Sequence, residues 1–312
     1  MLIAGPNLTI DRTLALEELR PGEVLRCTDA TTSPGGKGVN VARVARTLGA
    51  PALLVSFVPG RTGQAVAALI ADEGLALAGI AAGGEIRSTS ILIERNGRVT
   101  VLNEPGSGIT TDDWARYEDA IGRHLPDHGI LVCSGSAPPG TPDDGYGRLV
   151  RLAHAESVQA LVDATGPALA HSLEAEPDFV SPNVLEAEGV LGEVGGPLGG
   201  DGDAAGRATA AARGLVARGA RTAVVTADQW GLAVSGADGA RWYPAPSVPV
   251  RNPVGAGDSF VSGFAAWVER GEPVQGAVAA GMAAAAASVE SMLAGGIDVR
   301  RVEELTRHLQ AG

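Results

Sequence analysis

Residues 34–49 read PGGKGVNVARVARTLG, a glycine-rich turn followed at once by a helical pattern. The apolar residues of this pattern recur three and four positions apart: Val41, Val44, Ala45 and Leu48. Glycines that open a helix expose backbone amides at the positive end of the helix dipole, where an anion or hydroxyl groups can bind. Two adjacent glycines alone would also fit a plain turn. The stretch is not a Walker A loop, because Lys37 is followed by Gly38 and not by Ser or Thr.

Lys37 is the only lysine among the 312 residues, so the other 23 of the 24 basic residues are arginines. The formal net charge of −12 argues against nucleic acid or an anionic membrane as a partner, since both require a basic surface. A phosphorylated ligand would therefore have to be bound by a few local cations and by backbone amides. Lys37, between glycines at the start of a helix, is a candidate for such a cation.

A second glycine-rich turn lies at 251–271, RNPVGAGDSFVSGFAAWVERG. Gly255, Ala256 and Gly257 have little side chain, so their amides can approach an anion without steric hindrance. Asp258 follows in an apolar helix that is predicted to begin near Gly255, where an aspartate is also a favourable helix cap. Amides beside a carboxylate supply what phosphoryl transfer to an alcohol requires. The amides neutralise the moving phosphoryl group, and the carboxylate accepts the hydroxyl proton.

Around the two turns, short β-type runs alternate with amphipathic stretches. This order indicates crossover connections, and hence an α/β fold with a parallel sheet and helices on both faces. Two β-rich segments break the rhythm, Glu23–Ser33 and Ser88–Asn103, and the second contains the hairpin signal Asn96-Gly97. We expect these segments to form a small antiparallel flap beside the main sheet. The stretch Gly192–Gly206 is expected to be a flexible loop.

The cysteines and the apolar runs bear on where the protein resides. Cys27 and Cys133 are far apart and in no CxxC arrangement, which is typical of a reduced cytosolic protein. The N-terminal stretch MLIAGPNLTID has no basic segment and reaches Asp11 too early for a signal peptide. The longest apolar run, which starts at Ala277, is shorter than the about 20 residues that a bilayer requires, and it is expected to be a buried helix. The sequence thus predicts a soluble, cytoplasmic protein.

PGGKGVNVARVARTLG and NPVGAGDSFVSGF resemble, at the expected separation, the two signatures of the ribokinase-like (PfkB) sugar kinases. The order of NLTID, GSAPPG, LVDATG and PNVLEAE also follows that family, so the resemblance covers nearly the whole chain. Asn252-Pro253-Val254 is similar to the phosphosugar branch, which contains 1-phosphofructokinase, tagatose-6-phosphate kinase and the minor 6-phosphofructokinase. The resemblance implies a single ribokinase-like domain over 1–312, a three-layer α/β fold with a central mostly parallel sheet and helices on both faces. It also implies a small β-sheet lid with strands from about 12–33 and 86–104.

The same resemblance implies roles in catalysis and in nucleotide binding. Asp258 matches the catalytic base of the family, and Gly255–Gly257 matches its anion hole. Asn183 and Glu186 match an NxxE motif that handles Mg²⁺ and nucleotide phosphate through water, whereas that pair alone would be read as a helix cap with a solvated Glu. ATP and Mg²⁺ are the implied cofactors. The further residues implied in nucleotide binding are Thr226, Asp228 and Gly231.

The acceptor sugar is implied to lie around the first glycine turn. The positions that match sugar-site residues of the family are Asp11, Gly35, Gly36, Asn40 and Asp163. Lys37 would reach an acceptor phosphate or hydroxyls with its compact ammonium, and Arg26 and Arg87 match lid positions that clamp the acceptor phosphate. A solvated surface position is the alternative for either arginine alone. The family also implies a homodimer through the lid strands, in which Arg26 could serve the neighbouring subunit's site.

Three features depart from the family pattern. Ser181 stands where the phosphosugar branch has Lys before the PN of PNxxE, which removes a cation and argues against a phosphorylated acceptor. Asp228 stands where the nucleotide loop has its first glycine, and its charge would repel nucleotide phosphates unless the side chain turns outward or binds a cation. Asn252 and Val254 replace the Asp and Thr of the monovalent-cation site in ribokinases, which argues against activation by potassium.

The leading hypothesis is an ATP-dependent kinase for a hydroxyl of a ketose phosphate, namely fructose 1-phosphate, fructose 6-phosphate or tagatose 6-phosphate. Ser181 favours an unphosphorylated sugar or a nucleoside instead, and Asp228 would permit a non-catalytic sugar-binding relative. A dinucleotide enzyme fits poorly, because neither glycine turn has GxGxxG with an acidic residue about 20 positions further on. The expected partners are a small sugar or sugar phosphate and a second copy of the chain, with no nucleic acid and no membrane.

Overall fold

Two sheets organise the computed structural model, which describes residues 1–193 and 195–311. Numbered in chain order, the strands of these residues are β1 (Leu2–Ala4), β2 (Thr9–Leu16), β3 (Asp29–Gly35), β4 (Leu53–Phe57), β5 (Ala76–Ile80), β6 (Arg87–Glu94), β7 (Val99–Asn103), β8 (Ile130–Ser134), β9 (Gln159–Asp163), β10 (Phe179–Val180), β11 (Thr222–Thr226), β12 (Gly231–Gly236) and β13 (Gly239–Pro244). The α-helices are α1 (Lys37–Thr47), α2 (Gly60–Asp72), α3 (Thr111–His124), α4 (Gly145–Ala155), α5 (Gly166–Ser172), α6 (Val184–Leu191), α7 (Asp201–Ala217), α8 (Ala256–Glu269), α9 (Val274–Val289) and α10 (Val299–Ala311).

The larger sheet has the strand order β13-β12-β11-β10-β9-β8-β1-β4-β5. The strands from β11 to β5 are parallel, whereas β12 and β13 extend the sheet as antiparallel strands. Helices connect most of the parallel strands, so the predicted crossover connections are confirmed. All of β8 is buried, as its run of apolar residues predicts for a strand covered on both faces. The parallel strands end at one common edge, which is where ligand clefts form in folds of this kind.

Helices cover both faces of this sheet, which makes three layers. Alternate residues of β1 face the two cores, since Leu2 and Ala4 pack with α3 to α7 and Ile3 packs with α1, α2, α8 and α9. The Ala-rich helix α9 is buried along most of its length, as predicted. None of the described helices is both long and apolar enough to span a bilayer. The α/β three-layer architecture expected from the sequence is therefore confirmed.

A separate sheet in the order β3-β2-β6-β7 forms the lid. β2 is antiparallel to β3 but parallel to β6, and β6 is antiparallel to β7. The expectation of an antiparallel flap is therefore wrong at its centre, because β6 follows β4, α2 and β5 instead of a hairpin from β2. The hairpin predicted at Asn96-Gly97 is confirmed and joins β6 to β7. Residues 23–28 form a loop where a β-rich segment was expected, and β2 begins at Thr9.

The glycine-rich stretch 192–206 is a loop only in its first part. The helix α7 begins at Asp201, so the expectation of a loop over the whole stretch is wrong. Asp201 and Asp203 lie in the first turn of α7, where negative charge interacts favourably with the helix dipole and offsets the low helix propensity of the neighbouring glycines. Val194 in the first part lies outside the described residues.

Candidate active site

The two glycine-rich turns meet at the edge where the parallel strands end. Gly36 precedes α1 with a φ of 101°, and Gly255 precedes α8 with a φ of 86°. Both values lie in the left-handed region that favours glycine, and they turn the chain directly into each helix. Across the gap, Asn40 Nδ2 donates a hydrogen bond of 2.7 Å to Asp258 Oδ2. The first turns of α1 and α8 thus face each other.

Asp258 is a buried carboxylate, with only 6% of its surface exposed. Burial raises its pKa from an ordinary value of 3.8 to about 6. The negative charges of Asp163 and Asp11 act in the same direction, whereas Lys37 and the hydrogen bond from Asn40 act against it. A pKa in this range suits a general base that works near neutral pH. The arrangement can therefore take a proton from an alcohol.

Lys37 places one ammonium among the carboxylates of the cleft. Its Nζ atom donates to Asp163 Oδ1 at 2.9 Å, and the other Asp163 oxygen accepts from Ser134 Oγ at 3.2 Å. Burial lowers the pKa of Lys37, but the charges of Asp163, Asp258 and Glu186 outweigh burial and raise the pKa above its ordinary value. Lys37 keeps 37% of its side chain exposed, so a permanent positive charge faces the cleft.

With Asp258 as the predicted base, catalysis should weaken steeply below about pH 6, because the carboxyl group must be deprotonated to accept a proton. We expect kcat/KM to rise with pH and to level off above about pH 6. Initial rates at constant ionic strength measure this profile. Phosphate esters titrate near the same pH, so a change in rate could come from the substrate instead of Asp258. The variant Asn40→Ala separates the two. It removes a donor to Asp258 and should move the midpoint upward while the substrates titrate unchanged. A wild-type midpoint near 3.8, or equal midpoints in both proteins, would contradict the assignment of Asp258 as the base.

Asp11 and Arg87 bring polar atoms without partners to the base of the lid. Within the described residues, Asp11 Oδ1 and Arg87 Nε are buried and have no hydrogen-bond partner. Arg87 pairs in register with Thr9, two residues before Asp11, so both side chains project from the same face of the lid. Burial raises the pKa of Asp11, and the charge of Arg87 opposes this. Gly35 on the neighbouring strand leaves the space that the Asp11 carboxylate fills. A polar group of a ligand that reached these two atoms would satisfy the unpaired acceptor and donor.

The turn Gly255–Gly257 presents backbone amides with little side-chain cover. A side-chain carbon at Gly257 would have no neighbour within 4 Å. Asn252 holds the turn, since its Oδ1 accepts from the Val254 amide at 3.0 Å and its Nδ2 donates to the Met292 carbonyl at 2.9 Å. The asparagine that stands in the place of a cation-site aspartate therefore shapes the candidate anion-binding turn.

Asn183 and Glu186 form a capping box at the start of α6. The Glu186 amide donates to Asn183 Oδ1 and the Asn183 amide donates to Glu186 Oε2, each at 2.9 Å. Burial raises the pKa of Glu186, and Lys37 opposes this. In residues 1–193 and 195–311, no group of three or more His, Cys, Asp or Glu could hold a metal ion. Asn183 and Glu186 offer oxygen donors, which are the type that Mg²⁺ prefers, and their water-mediated contact with a nucleotide-bound Mg²⁺ ion stays a prediction.

The three residues predicted to bind nucleotide lie around the β11–β12 connection, next to α6. Thr226 pairs with Asn183 in an isolated bridge, and Gly231 begins β12. Asp228 has a φ of 48°, a left-handed conformation in which glycine is usual and aspartate is tolerated. Its side chain is exposed. After burial and the charge of Asp163, the charge of Asp228 also raises the pKa of Glu186. The backbone conformation explains why a glycine is expected at this position and why aspartate can replace it.

Arg26 lies apart from the other candidate cations. It is on the exposed loop 17–28, whose backbone donates a 2.8 Å bond to the carbonyl of Ala15. Ala15 is six residues along β2 from the register partner of Arg87, which corresponds to about 20 Å of strand. Within one chain, the structure therefore does not bring Arg26 to Lys37 and Arg87.

Arg43 and Glu73 belong to the cluster at the first glycine turn, but the sequence reasoning did not single them out. Arg43 Nη1 donates to Asn40 Oδ1 at 2.9 Å, and Arg43 Nε donates to Glu73 Oε2 at 2.7 Å. A signal existed for Arg43, because it follows Asn40 by three positions and so shares its helix face. Glu73 gives no such signal, since it is 30 residues away from Arg43.

The chain is similar in sequence and in fold to known proteins. Residues 7–299 match the pfkB family carbohydrate kinases. The chain is 27% identical to the 1-phosphofructokinase of Bacillus subtilis (strain 168) over 285 residues, which cover 91% of each protein. It is 28% identical to the ATP-dependent 6-phosphofructokinase isozyme 2 of Escherichia coli (strain K12) over 292 residues, 92% of this chain and 91% of that protein. The structure is similar to that of phosphofructokinase-2 from Escherichia coli in complex with potassium, with a TM-score of 0.89, 25% identity and 99% of both chains covered.

The chain belongs to the pfkB family of carbohydrate kinases. This confirms the family resemblance of the two signatures and the ribokinase-like fold. It also confirms the predicted enzyme class, which is an ATP-dependent carbohydrate kinase. The roles of individual site residues stay predictions.

Proposed function

We propose that this protein transfers the γ-phosphoryl group of ATP to a hydroxyl of a ketose phosphate, with fructose 1-phosphate, fructose 6-phosphate and tagatose 6-phosphate as candidates. The observation that carries the proposal is the buried Asp258 carboxylate, with its pKa raised to about 6, beside the open turn Gly255–Gly257. A base and an anion-binding turn at one place serve phosphoryl transfer, whereas a protein that only binds sugar needs no base. The phosphofructokinase names of the two relatives support a ketose phosphate as the acceptor.

In the proposed reaction, the acceptor hydroxyl lies against Asp258, which takes its proton as the hydroxyl oxygen attacks the γ-phosphorus. The bond from the γ-phosphorus to the bridging oxygen of ATP breaks, and ADP leaves with that oxygen. The amides of Gly255–Gly257 and the ammonium of Lys37 bind the phosphoryl oxygens and neutralise their charge during transfer. The ion pair of 2.9 Å with a neighbouring carboxylate keeps Lys37 in the cleft. Asn183 and Glu186 would contact a Mg²⁺ ion bound with the nucleotide, and that ion would neutralise further phosphate charge.

Asp11 and Arg87 are the proposed contacts of the acceptor sugar phosphate. Asp11 Oδ1 can accept a hydrogen bond from a sugar hydroxyl, and Arg87 Nε can donate to a phosphate oxygen. Ser181 is buried, with 7% exposure, and adds no cation to the site. This supports the second candidate function, a kinase for an unphosphorylated sugar or a nucleoside.

The test is MgATP-dependent ADP release with a panel of acceptors, with Asp258→Asn as the blank. The panel contains the three ketose phosphates together with free fructose, ribose and adenosine. We expect turnover with a phosphorylated ketose only. Turnover confined to the unphosphorylated acceptors would replace the proposed substrate class. No turnover of any acceptor by a protein that binds ATP would refute the proposed reaction.

Asp228→Gly should lower the KM for ATP about fivefold, because unit charges in contact across water interact by about 1 kcal/mol and the substitution removes a negative charge beside the proposed phosphate site. Glycine also adopts the φ of 48° without strain, so the fold should tolerate the change. Steady-state kinetics with ATP varied at saturating acceptor measures the effect. Asp238→Asn, at an exposed turn between β12 and β13, is the control and should leave the KM unchanged. A higher KM in Asp228→Gly would mean that this carboxylate assists nucleotide binding.

We also propose a homodimer in which the lid of one chain supplies Arg26 to the acceptor site of the other. The distance of about 20 Å along β2 between the Arg26 loop and Arg87 supports this, because one chain alone does not unite the two. Sedimentation should give a dimer. Mixing equal amounts of Arg26→Ala and Asp258→Asn subunits should restore about a quarter of wild-type activity, since half of all dimers are then heterodimers and each heterodimer has one intact site of two. A monomer, or no recovery after subunit exchange is verified, would refute the shared site.

A cytoplasmic location is part of the proposal. Cys27 is exposed, Cys133 is buried, and neither forms a disulfide within the described residues, which is the pattern of a reducing compartment. Recovery of the activity in the membrane-free cytoplasmic fraction of cells would support this location.

A further inference from the structure

A buried arginine stands behind Asn40. Arg43 is 8% exposed, and all five N–H groups of its guanidinium have acceptors. Nε and Nη2 donate to the two carboxylate oxygens of Glu73 at 2.7 and 2.9 Å. The remaining N–H groups donate to the Pro34 carbonyl at 3.0 Å, to the Ala294 carbonyl at 2.8 Å and to Asn40 Oδ1 at 2.9 Å. The guanidinium is therefore fixed in position and direction.

The Asn40 amide has two orientations that differ by exchange of its oxygen and nitrogen. In the structure, Oδ1 accepts from Arg43 and Nδ2 donates to Asp258. The exchanged orientation would set the nitrogen against a guanidinium and the oxygen against a carboxylate, so both contacts would be lost. Asp258 alone would hold this orientation only while it is ionised, because a protonated carboxyl group can also donate a hydrogen bond to the amide oxygen. Arg43 can only donate, so it fixes the amide in both protonation states of Asp258.

We propose that Arg43, held by Glu73, is a positioning residue that keeps the Asn40 amide nitrogen directed at Asp258 during turnover. The inference rests on the proposed function, in which Asp258 gains a proton in each reaction and must lose it again. Without Arg43, the amide group of Asn40 could rotate when the carboxyl group becomes protonated. Its oxygen would then face the cleft when the next substrate binds. The fixed amide returns the carboxylate to the same hydrogen bond after every cycle.

The consequence for the reaction is a defined pH dependence. The groups that face Asp258 are Lys37 and Asn40 of α1, Asp163 of β9 and Asp11 of β2. Of these, the hydrogen bond from Asn40 is the one that Arg43 controls, and it lowers the pKa of Asp258. Loss of the directed N–H should therefore raise the pH at which the base becomes active. The KM for ATP should change little, because Arg43 has no N–H group left for a substrate.

The experiment compares kcat/KM against pH for the wild type, Arg43→Met and Glu73→Gln. Arg46→Met, an exposed position on the same helix, is the matched control. We expect both variants to move the acid midpoint upward by about 0.5 to 1 pH unit and to lower kcat about tenfold, with the control unchanged. Arg43→Lys should not restore the wild-type midpoint, because one ammonium cannot serve five acceptors in a plane. If Arg43→Met does not fold, Glu73→Gln gives the same comparison. Glu73→Gln should fold, because Glu73 is 28% exposed and glutamine has nearly the same size.

Arg43→Met is also measured in the Asn40→Ala variant, which tests whether Arg43 acts through Asn40. If Arg43 acts through Asn40, the double variant with Arg43→Met should show the midpoint of Asn40→Ala alone, whereas independent effects would add. Unchanged midpoints in Arg43→Met and Glu73→Gln, or an additive shift in the double variant, would overturn the proposal. A wild type that phosphorylates no acceptor of the panel would instead refute the proposed function, and the panel shows this before the Arg43 and Glu73 variants are compared.

Discussion

Asp258→Asn should lower kcat by at least about 10²–10⁴ with every acceptor, because asparagine cannot accept the hydroxyl proton. The KM values should change little, since asparagine has nearly the same size and its oxygen can still accept the 2.7 Å hydrogen bond from Asn40. Steady-state rates at a pH well above 6, where the wild-type carboxylate is ionised, measure the effect. Asp238→Asn removes an exposed carboxylate and should be fully active. Turnover close to that of the wild type would exclude Asp258 as the base.

The same substitution should make the protein more stable. Folding raises the pKa of Asp258 from 3.8 to about 6, so the folded chain holds the proton more tightly than the unfolded chain. The ionised carboxylate therefore lowers the free energy of unfolding by about 3 kcal/mol once the pH exceeds the folded value. Asp258→Asn avoids this cost, so its melting temperature should exceed that of the wild type above pH 6. The difference should vanish as the pH falls to 3.8.

This stability measurement separates two explanations of lost activity. A variant that is inactive but more stable has lost a base in an intact cleft. A variant that is both inactive and less stable would have a damaged cleft, and its kinetics would not identify Asp258 as the base. Thermal unfolding at several pH values, with Asp238→Asn measured in parallel, distinguishes these outcomes.

Lys37→Met should lower kcat/KM by about 10²–10³ at neutral pH, comparable to the loss of one preorganised donor to a reacting oxyanion. The substitution removes the side-chain ammonium proposed to bind the phosphoryl group. It also removes the positive charge that lowers the pKa of Asp258, so the acid midpoint should move above 6. Asp258 and Glu186 would lose the positive charge that lowers their pKa values, and their ionisation with rising pH should then destabilise the variant.

Rates and melting temperatures across pH test this expectation. Lys37→Arg keeps the charge and should retain part of the activity, whereas Arg46→Met removes a charge from the same helix and should leave the pH profile unchanged. A reduced rate with the wild-type midpoint would mean that Lys37 binds phosphate without tuning the base. An unchanged rate would remove Lys37 from the reaction.

The two glycine turns and the large sheet could be predicted because their signals are local. A glycine before an apolar helical pattern, or a short apolar strand before an amphipathic stretch, has its main determinants within some 15 residues. The lid could not be predicted in the same way. Its central pair joins β2 to β6 at positions such as Thr9 and Arg87, which are 78 residues apart, and the parallel direction depends on the path of the chain between them.

The place of Arg43 in the site and the fit of Asp228 at a glycine position could not be predicted, for two different physical reasons. A charged residue in a helical pattern is ordinarily solvated, and Arg43 is buried only because Glu73 and three main-chain or amide oxygens receive its donors. Asp228 breaks a glycine pattern, but the pattern specifies a left-handed backbone that aspartate can also adopt. In both positions the residue type alone was a poor guide, and the backbone or a distant partner decided the outcome.

Because the chain has a single lysine, the cleft can be labelled with a reagent that acylates amines. A reagent that acylates side-chain amines finds one target in 312 residues, and that target is paired with Asp163 at 2.9 Å. Because this pairing favours the unreactive ammonium form, acylation of the empty protein should be slow, ligands that cover the ammonium should slow it further, and unfolding should release it. The mass of the peptide that contains Lys37, after a timed exposure, would then report how much of the cleft is occupied, with no labelled ligand and no coupled assay.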